Sequence, residues 1–324
     1  LRKHQSFNRQ RGGCLPTKSK EEQMHIPDQM LQGAVCPVTA AVAIAGVSAA
    51  VLAAVRSVRK PGVGRFAAVA ALIFAGQMMN FPIAGGTSGH LLGGVLAAGL
   101  LGVPFAVLAM TLVVVVQALV FGDGGVMVLG ANLFNMALLG VVVAAPLQRV
   151  LQRHPECSLF RRSLLYGATG WLSVMLAALA VCVELSASGG VAFATVTGAM
   201  LGVHALIGVG EGVITAAVFA LLAPRSAQDL VDRRAVALPL SVACLTALLL
   251  SPLASSLPDG LERVAERLGF FPSAVASFWS PVADYQLAGI EHGALTTGLA
   301  GLCGVLLTFA LAYLVARPMQ PVRG

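Results

Sequence analysis

Two short strings carry side chains able to do chemistry in a chain that is otherwise almost wholly apolar: Met24-His25-Ile26-Pro27-Asp28 and Thr87-Ser88-Gly89-His90. With Met24 as the first residue, its free α-amine, the backbone nitrogen of His25 and the His25 imidazole can bind one ion in two fused chelate rings. His90, on a Gly-flanked turn, offers a fourth nitrogen. Four nitrogens in a plane suit Ni2+ or Cu2+, whereas Zn2+ prefers a tetrahedron. Such a site needs a neutral imidazole and a deprotonated amide, so uptake should weaken as pH falls. Pro27 stiffens the turn that carries the chelate. Asp28 either orients an imidazole from behind or caps the first helix. A lone histidine at a membrane surface is more often solvated or packed than ligated, so the inference rests on the pair.

The elements around these strings are membrane helices. The chain has 324 residues, 57% hydrophobic and only 11% charged, with a mean hydropathy of +0.84, where a soluble domain carries roughly 25% charged residues. A net charge of +7 is also a mark of nucleic-acid binders, but in a membrane protein basic residues mark cytoplasmic loops, and no nucleic-acid partner is expected. The sequence contains no GxxxxGK[ST] loop, so any ATP used is hydrolysed by another chain, and no HExxH that would make it an intramembrane metalloprotease. It reads as a non-enzyme. Six scattered cysteines without a CxxC pair are small packing residues. Residues 1–23 are polar and basic with no apolar run. They are not a secretory signal and read as an extension, mis-assigned or removed, upstream of Met24.

Apolar runs fall near 33–55, 66–82, 91–102, 104–121, 126–146, 164–184, 193–222, 235–253 and 294–316. Merging the third and fourth would give a span too long for a hydrocarbon core of roughly 30 Å, and Gly102 and Pro104 mark a break there. With nine spans and the amino end outside, Arg56, Arg59, Lys60, Arg65, Arg149, Arg153, Arg161, Arg162, Arg225, Arg233, Arg234, Arg317 and Arg323 all fall inside. Beyond residue 23 only Arg263 and Arg267 fall outside, as the positive-inside rule requires. The fold class is therefore an all-α, polytopic transmembrane bundle of the cell membrane in contact with lipid. Residues 24–224 form a first module of seven spans, 225–234 a charged cytoplasmic linker and 235–317 a second module of two spans with a polar outer segment between them. This topology places His25, His90 and Asp123 on one outer face, although only Lys and Arg were used to derive it. Gly89/Gly93, Gly198/Gly202 and Gly208/Gly212 are small-xxx-small pairs that support a compact bundle.

Other polar residues admit two readings each. Asp123 occupies a Gly-Asp-Gly-Gly turn, and a turn role suffices for it. Glu211 sits inside the seventh span with His204 two turns earlier on the same face; intramembrane ionisable groups are functional candidates, here bracing the bundle or coupling substrate release to a partner. Asp259 and Glu262 form a capping-box start for a short helix with one apolar face made by Leu261, Val264, Ala265 and Leu268. That helix either lies on the outer membrane surface or covers the metal entrance, with Asp284, Glu291 or His292 as transient ligands.

The amino-terminal string, together with Asn80-Phe81-Pro82-Ile83-Ala84-Gly85-Gly86-Thr87-Ser88-Gly89-His90, resembles the M component of nickel/cobalt energy-coupling-factor transporters. So do Phe121-Gly122-Asp123-Gly124-Gly125, the run Gly130 to Met136 and the run Gly202 to Glu211. Pro258-Asp259-Gly260-Leu261-Glu262, with Ser280-Pro281-Val282-Ala283-Asp284-Tyr285, is similar to the small N component that accompanies such subunits or is fused to them. The resemblance implies a seven-helix substrate-capture subunit whose metal ligands are Met24, His25 and His90, with Asn132 and Asn135 holding the amino-terminal loop or His90. It implies a transported Ni2+ or Co2+, nickel modestly favoured, rather than a resident cofactor. It also implies a transmembrane coupling subunit and ATPase subunits as partners. Gln29 and Met30 depart from the Gly and Phe usual in the family, which touches the start of the first helix rather than the ligands. The alternative is a stand-alone ion-coupled metal permease, which would call for more acidic residues within the spans than Glu211.

Overall fold

The computed structural model describes residues 25–224, 233–271, 279–290 and 292–319. Met24, the extension 1–23, most of the linker and Glu291 lie outside the described residues. After a turn-rich segment at 25–34, the chain runs through α1 (Val35–Arg56), α2 (Val63–Gln77), a hairpin of β1 (Asn80–Ile83) and β2 (Thr87–His90), and α3 (Gly94–Leu101). It continues through α4 (Val103–Phe121), α5 (Leu129–Arg153), α6 (Leu159–Ala187), α7 (Phe193–Leu222) and α8 (Arg234–Leu253). The short α9 (Gly260–Leu268) and then α10 (Gly293–Met319) complete it. Among the described residues, seven of these helices are long and apolar enough to cross a membrane: α1, α4, α5, α6, α7, α8 and α10.

The bundle is helical as expected, with one local exception. The second and third apolar runs form the 15-residue α2 and the eight-residue α3, the latter only about 12 Å long at 1.5 Å per residue. Between them the chain doubles back as an antiparallel hairpin with Asn80 opposite His90. Gly93 and Gly102, at φ of 77° and 86°, bracket α3; this left-handed backbone suits a residue without Cβ. Half a crossing is thus given up so that β2 can carry His90 into the bundle.

Helices in a bilayer gain little from hiding apolar surface and associate through close packing, which favours small residues at contacts. In α6 and α7, Gly167 and Gly212 meet back to back: a Cβ on Gly167 would lie 2.6 Å from the Gly212 carbonyl oxygen. Gly208 similarly accommodates Trp171, whereas Gly198 and Gly202 have nothing within 4 Å of a would-be Cβ. The second module is not peripheral. α8 and α10 both pack on α2, where Gly301 makes room for Met78 and Gly304 for Phe74. α2 is consequently buried along nearly its whole length, while α1 presents Val38, Ile44, Leu52 and Val55 outward, as a lipid-facing helix does.

Glu211 of α7 is fully buried and accepts from the backbone N–H of Leu92 at 2.6 Å and of Gly93 at 3.0 Å. It thereby serves donors at the start of α3 that have no partner within the helix. This braces the loop between His90 and α3. We expect Glu211→Ala to strand two buried N–H groups, each worth about 1–3 kcal/mol, and to lower the melting temperature in detergent markedly. Glu211→Gln keeps an acceptor and should lose less; equal melting of all three proteins would contradict the bracing role.

Candidate metal centre

The segment 25–34 folds back over the bundle because its backbone is claimed by α5 and by the turn before it. The Asn132 side chain takes both sides of one residue: Oδ1 accepts from Ile26 N–H and Nδ2 donates to Ile26 C=O, each at 3.1 Å. Gly125 N–H donates to the same carbonyl at 2.9 Å. Asp28, expected either to orient an imidazole or to cap α1, does neither. Its Oδ1 accepts from Met127 N–H at 2.9 Å, and the N-cap position of α1 is Ala34, with no side-chain cap. Both contacts fasten the segment to residues 125–127, and the ring of His25 is delivered into the interior.

His25 is buried, and its Nδ1 lies 2.8 Å from Asp123 Oδ1. Burial raises the Asp123 carboxyl, but the charge of His25, its hydrogen bond, the Tyr285 hydroxyl and the charge of His90 outweigh that and hold it below the ordinary carboxylate range. An ionised carboxylate only accepts hydrogen bonds, so His25 Nδ1 carries the hydrogen. Nε2, on the far side of the ring, is buried and has no hydrogen-bond partner. The turn role expected of Asp123 is real but incomplete. Gly122 and Gly124 adopt φ of 68° and 94°, and a Cβ on Gly124 would lie 2.8 Å from His25 Cβ. The glycines therefore both turn the chain and let the histidine approach.

His90 ends β2 with its ring centroid 5.8 Å from that of His25. Both rings line a cavity of about 90 Å3 together with Asn132, Asn135, His204 and Asp259. His204 donates through Nδ1 to Met200 C=O at 2.8 Å, and Asn135 Nδ2 donates to Glu184 at 2.8 Å while its Oδ1 has no partner. Asn135 lies on a π-helical stretch, Leu133–Leu139, and Gln117 opens another at the end of α4. Such widened turns frequently sit at functional sites. Among the described residues no three His, Cys, Asp or Glu side chains converge as a ready metal cage.

The second module roofs this cavity. Ser88 of β2 donates from Oγ to Leu257 C=O at 2.7 Å and from its backbone N–H to Pro258 C=O at 2.9 Å. Asp259 then caps α9 in a complete capping box with Glu262. Burial, followed by the neighbouring Glu262, pushes the Asp259 carboxyl well above its usual range. A Cβ on Gly260 would lie 2.9 Å from His204 Cε1, which explains the glycine in Pro-Asp-Gly-Leu-Glu. α9 buries Leu261, Val264 and Ala265 against Ile26, Met30 and Met200, so it covers the site rather than lying along a membrane surface. From the second module Asp259, Gly260 and Leu261 line the cavity, while Tyr285 reaches Asp123 behind His25. Asp284 and His292 do not line the cavity, and Glu291 lies outside the described residues.

Residues 25–229 match the family described as the cobalt uptake substrate-specific transmembrane region, CbiM, and residues 233–320 match the PDGLE domain. The chain belongs to the CbiM family. It is an M component joined to an N component in one multi-pass membrane protein. A relative from Archaeoglobus fulgidus that bears the name NikMN is 38% identical over 78% of this chain and 85% of its own length. The fused nickel transport protein NikMN of Rhodobacter capsulatus is 30% identical over 89% of this chain and 95% of its own. A crystal structure of a truncated transition metal transporter superposes with a TM-score of 0.53 at 33% identity, covering 61% of this chain and 98% of that one.

Sequence reasoning missed Tyr285, Gln117 and Glu184 as parts of the site and took Asp259 only as a helix cap. Tyr285 and Asp259 sit in the two strings that resemble the N component, the one signal that marked them. Asn132→Ala leaves both backbone groups of Ile26 without their side-chain partner, and changes of that kind behind a metal ligand cost about 10- to 100-fold in affinity. Titration calorimetry with Ni2+ should show a loss of that size; unchanged affinity would detach the 25–34 segment from the site.

Proposed function

We propose that this chain captures Ni2+ for an ATP-driven energy-coupling-factor importer, the ion being held by the Met24 amine, the His25 backbone and imidazole nitrogens, and His90. The observation that carries the reading is the pair of imidazoles, His25 and His90, whose ring centroids lie 5.8 Å apart beside a cavity that both line. Imidazole is the commonest protein ligand of such ions. The nickel-named relatives that span both modules favour Ni2+ over Co2+. On this reading the chain is not an enzyme, the site opens to the outer side of the cell membrane, residues 24–224 are the capture module, and a coupling subunit with ATPases drives release inward.

The fused chelate has a specific demand. Its second ring closes from the His25 amide through Cα, Cβ and Cγ to Nδ1, and Nε2 points away from that ring. Nδ1 is the nitrogen that Asp123 holds, so loading turns the imidazole and exchanges the carboxylate for the ion.

His25→Ala and His90→Ala should each lower bound nickel by more than about 100-fold, since losing a ligand costs at least as much as losing its outer partner. Metal content of the purified protein measures this. Protein beginning at Met24 should bind, and the same protein with residues 1–23 attached should not, because a peptide bond on Met24 removes the amine. Binding should weaken as pH falls, protons competing for amine, amide and imidazole. Nickel retained in both histidine variants would overturn the ligand set. Uptake in cells lacking the ATPases would favour the stand-alone permease.

A further inference from the structure

The second module reaches the first at one more point than its covering helix. Tyr285 lies in the turn Ala283–Tyr285, is buried, and donates its hydroxyl to Asp123 Oδ2 at 2.9 Å. The other oxygen of the same carboxylate takes His25, so Asp123 is shared between a residue of each module. Gln117 Nε2 approaches the tyrosine oxygen at 3.4 Å, leaving the hydroxyl hydrogen for Asp123. The phenol ring stacks on Phe121 with centroids 4.7 Å apart and planes 21° apart, and Val282 N–H is tied to Val120 C=O at 3.0 Å.

Placing the ring there requires unusual backbone. Asp284 and Tyr285 adopt φ of 54° and 55°, a left-handed conformation that is rare for any residue with a side chain and for an aromatic one is a true outlier. Such strain persists where the surroundings over-determine it, and it clusters at functional sites. Stacking on Phe121 explains an aromatic ring at 285. It does not explain a buried hydroxyl aimed at the carboxylate that holds the His25 ring.

We propose that Tyr285 is a positioning residue of the metal centre: its hydroxyl holds Asp123 in place while His25 exchanges that carboxylate for the ion. The inference rests on the reading of His25 as a ligand. Asp123 receives hydrogen bonds from both His25 and Tyr285. When Nδ1 turns to the metal, the first is given up and the second remains, so a buried negative charge keeps a donor during loading. Removing the hydroxyl should therefore disfavour the loaded state more than the empty one.

Tyr285→Phe in the full chain keeps the stacked ring and tests the hydroxyl alone. Its apparent Kd for Ni2+, by competition titration, should rise about 10- to 100-fold. The melting temperature of the empty protein should stay close to wild type, while the upward shift on adding Ni2+ shrinks. If Tyr285 acts through Asp123, Tyr285→Phe combined with Asp123→Asn should bind no worse than Asp123→Asn alone, since residues in one network are not additive. Wild-type affinity in Tyr285→Phe, or losses that multiply in the double variant, would overturn the proposal. So would a fall in empty-state melting with an undiminished nickel shift, the mark of a purely structural tyrosine. Retention of nickel by His25→Ala would instead remove the reading on which it rests.

Discussion

The hydrogen bond between His25 and Asp123 organises one end of this helical bundle. It buries a carboxylate where solvation is poor, which is tolerable only because donors surround it. Around that pair the structure assembles otherwise unrelated pieces. The glycines at 122 and 124 turn the chain and Gly124 lets it approach His25, Asn132 fixes the next peptide, and Tyr285 arrives from 162 residues further along the chain. Had His25 been placed by packing alone, its ring would be free to turn either nitrogen inward. The carboxylate fixes the ring by holding Nδ1.

The two modules form one body at the level of side chains. α2 lies between the remainder of the first module and the two long helices of the second, with Phe74 and Met78 set against glycines of α10. At the end that holds His25, β2 is bonded to the segment before α9 through Ser88. α9 turns its apolar face onto the same cluster that buries Ile26 and Met30. The hairpin that carries His90 is thus tied through Ser88 to the segment that leads into the covering helix.

The membrane architecture was legible because hydrophobicity and charge act locally. Each apolar run of sufficient length had to become a helix, since only a helix satisfies its own backbone in lipid. The capping box at Asp259 was equally legible, its partners being three residues apart. The short α3 was harder: its run is apolar throughout, and only the glycines at 93 and 102 hinted that it stops after eight residues. Asp28 was misjudged because its nearest attractive roles were local, whereas its partner is the backbone of Met127. Glu211 was visible as an intramembrane acid, but its partners, the amides of Leu92 and Gly93, exist only once α3 has docked on α7.

By itself, then, the sequence determined which stretches lie in lipid, where polar strings interrupt them, and that two imidazoles carry nitrogen donors to one end of the bundle. Periodicity, length and charge bias are properties of neighbouring residues and survive without a fold. The tertiary structure alone decided that Asp123 stands behind His25, that Tyr285 stands behind Asp123, and that α9 closes over the cavity instead of resting on the membrane. Those contacts join residues about a hundred or more positions apart, and only the packing of helices against one another sets such distances.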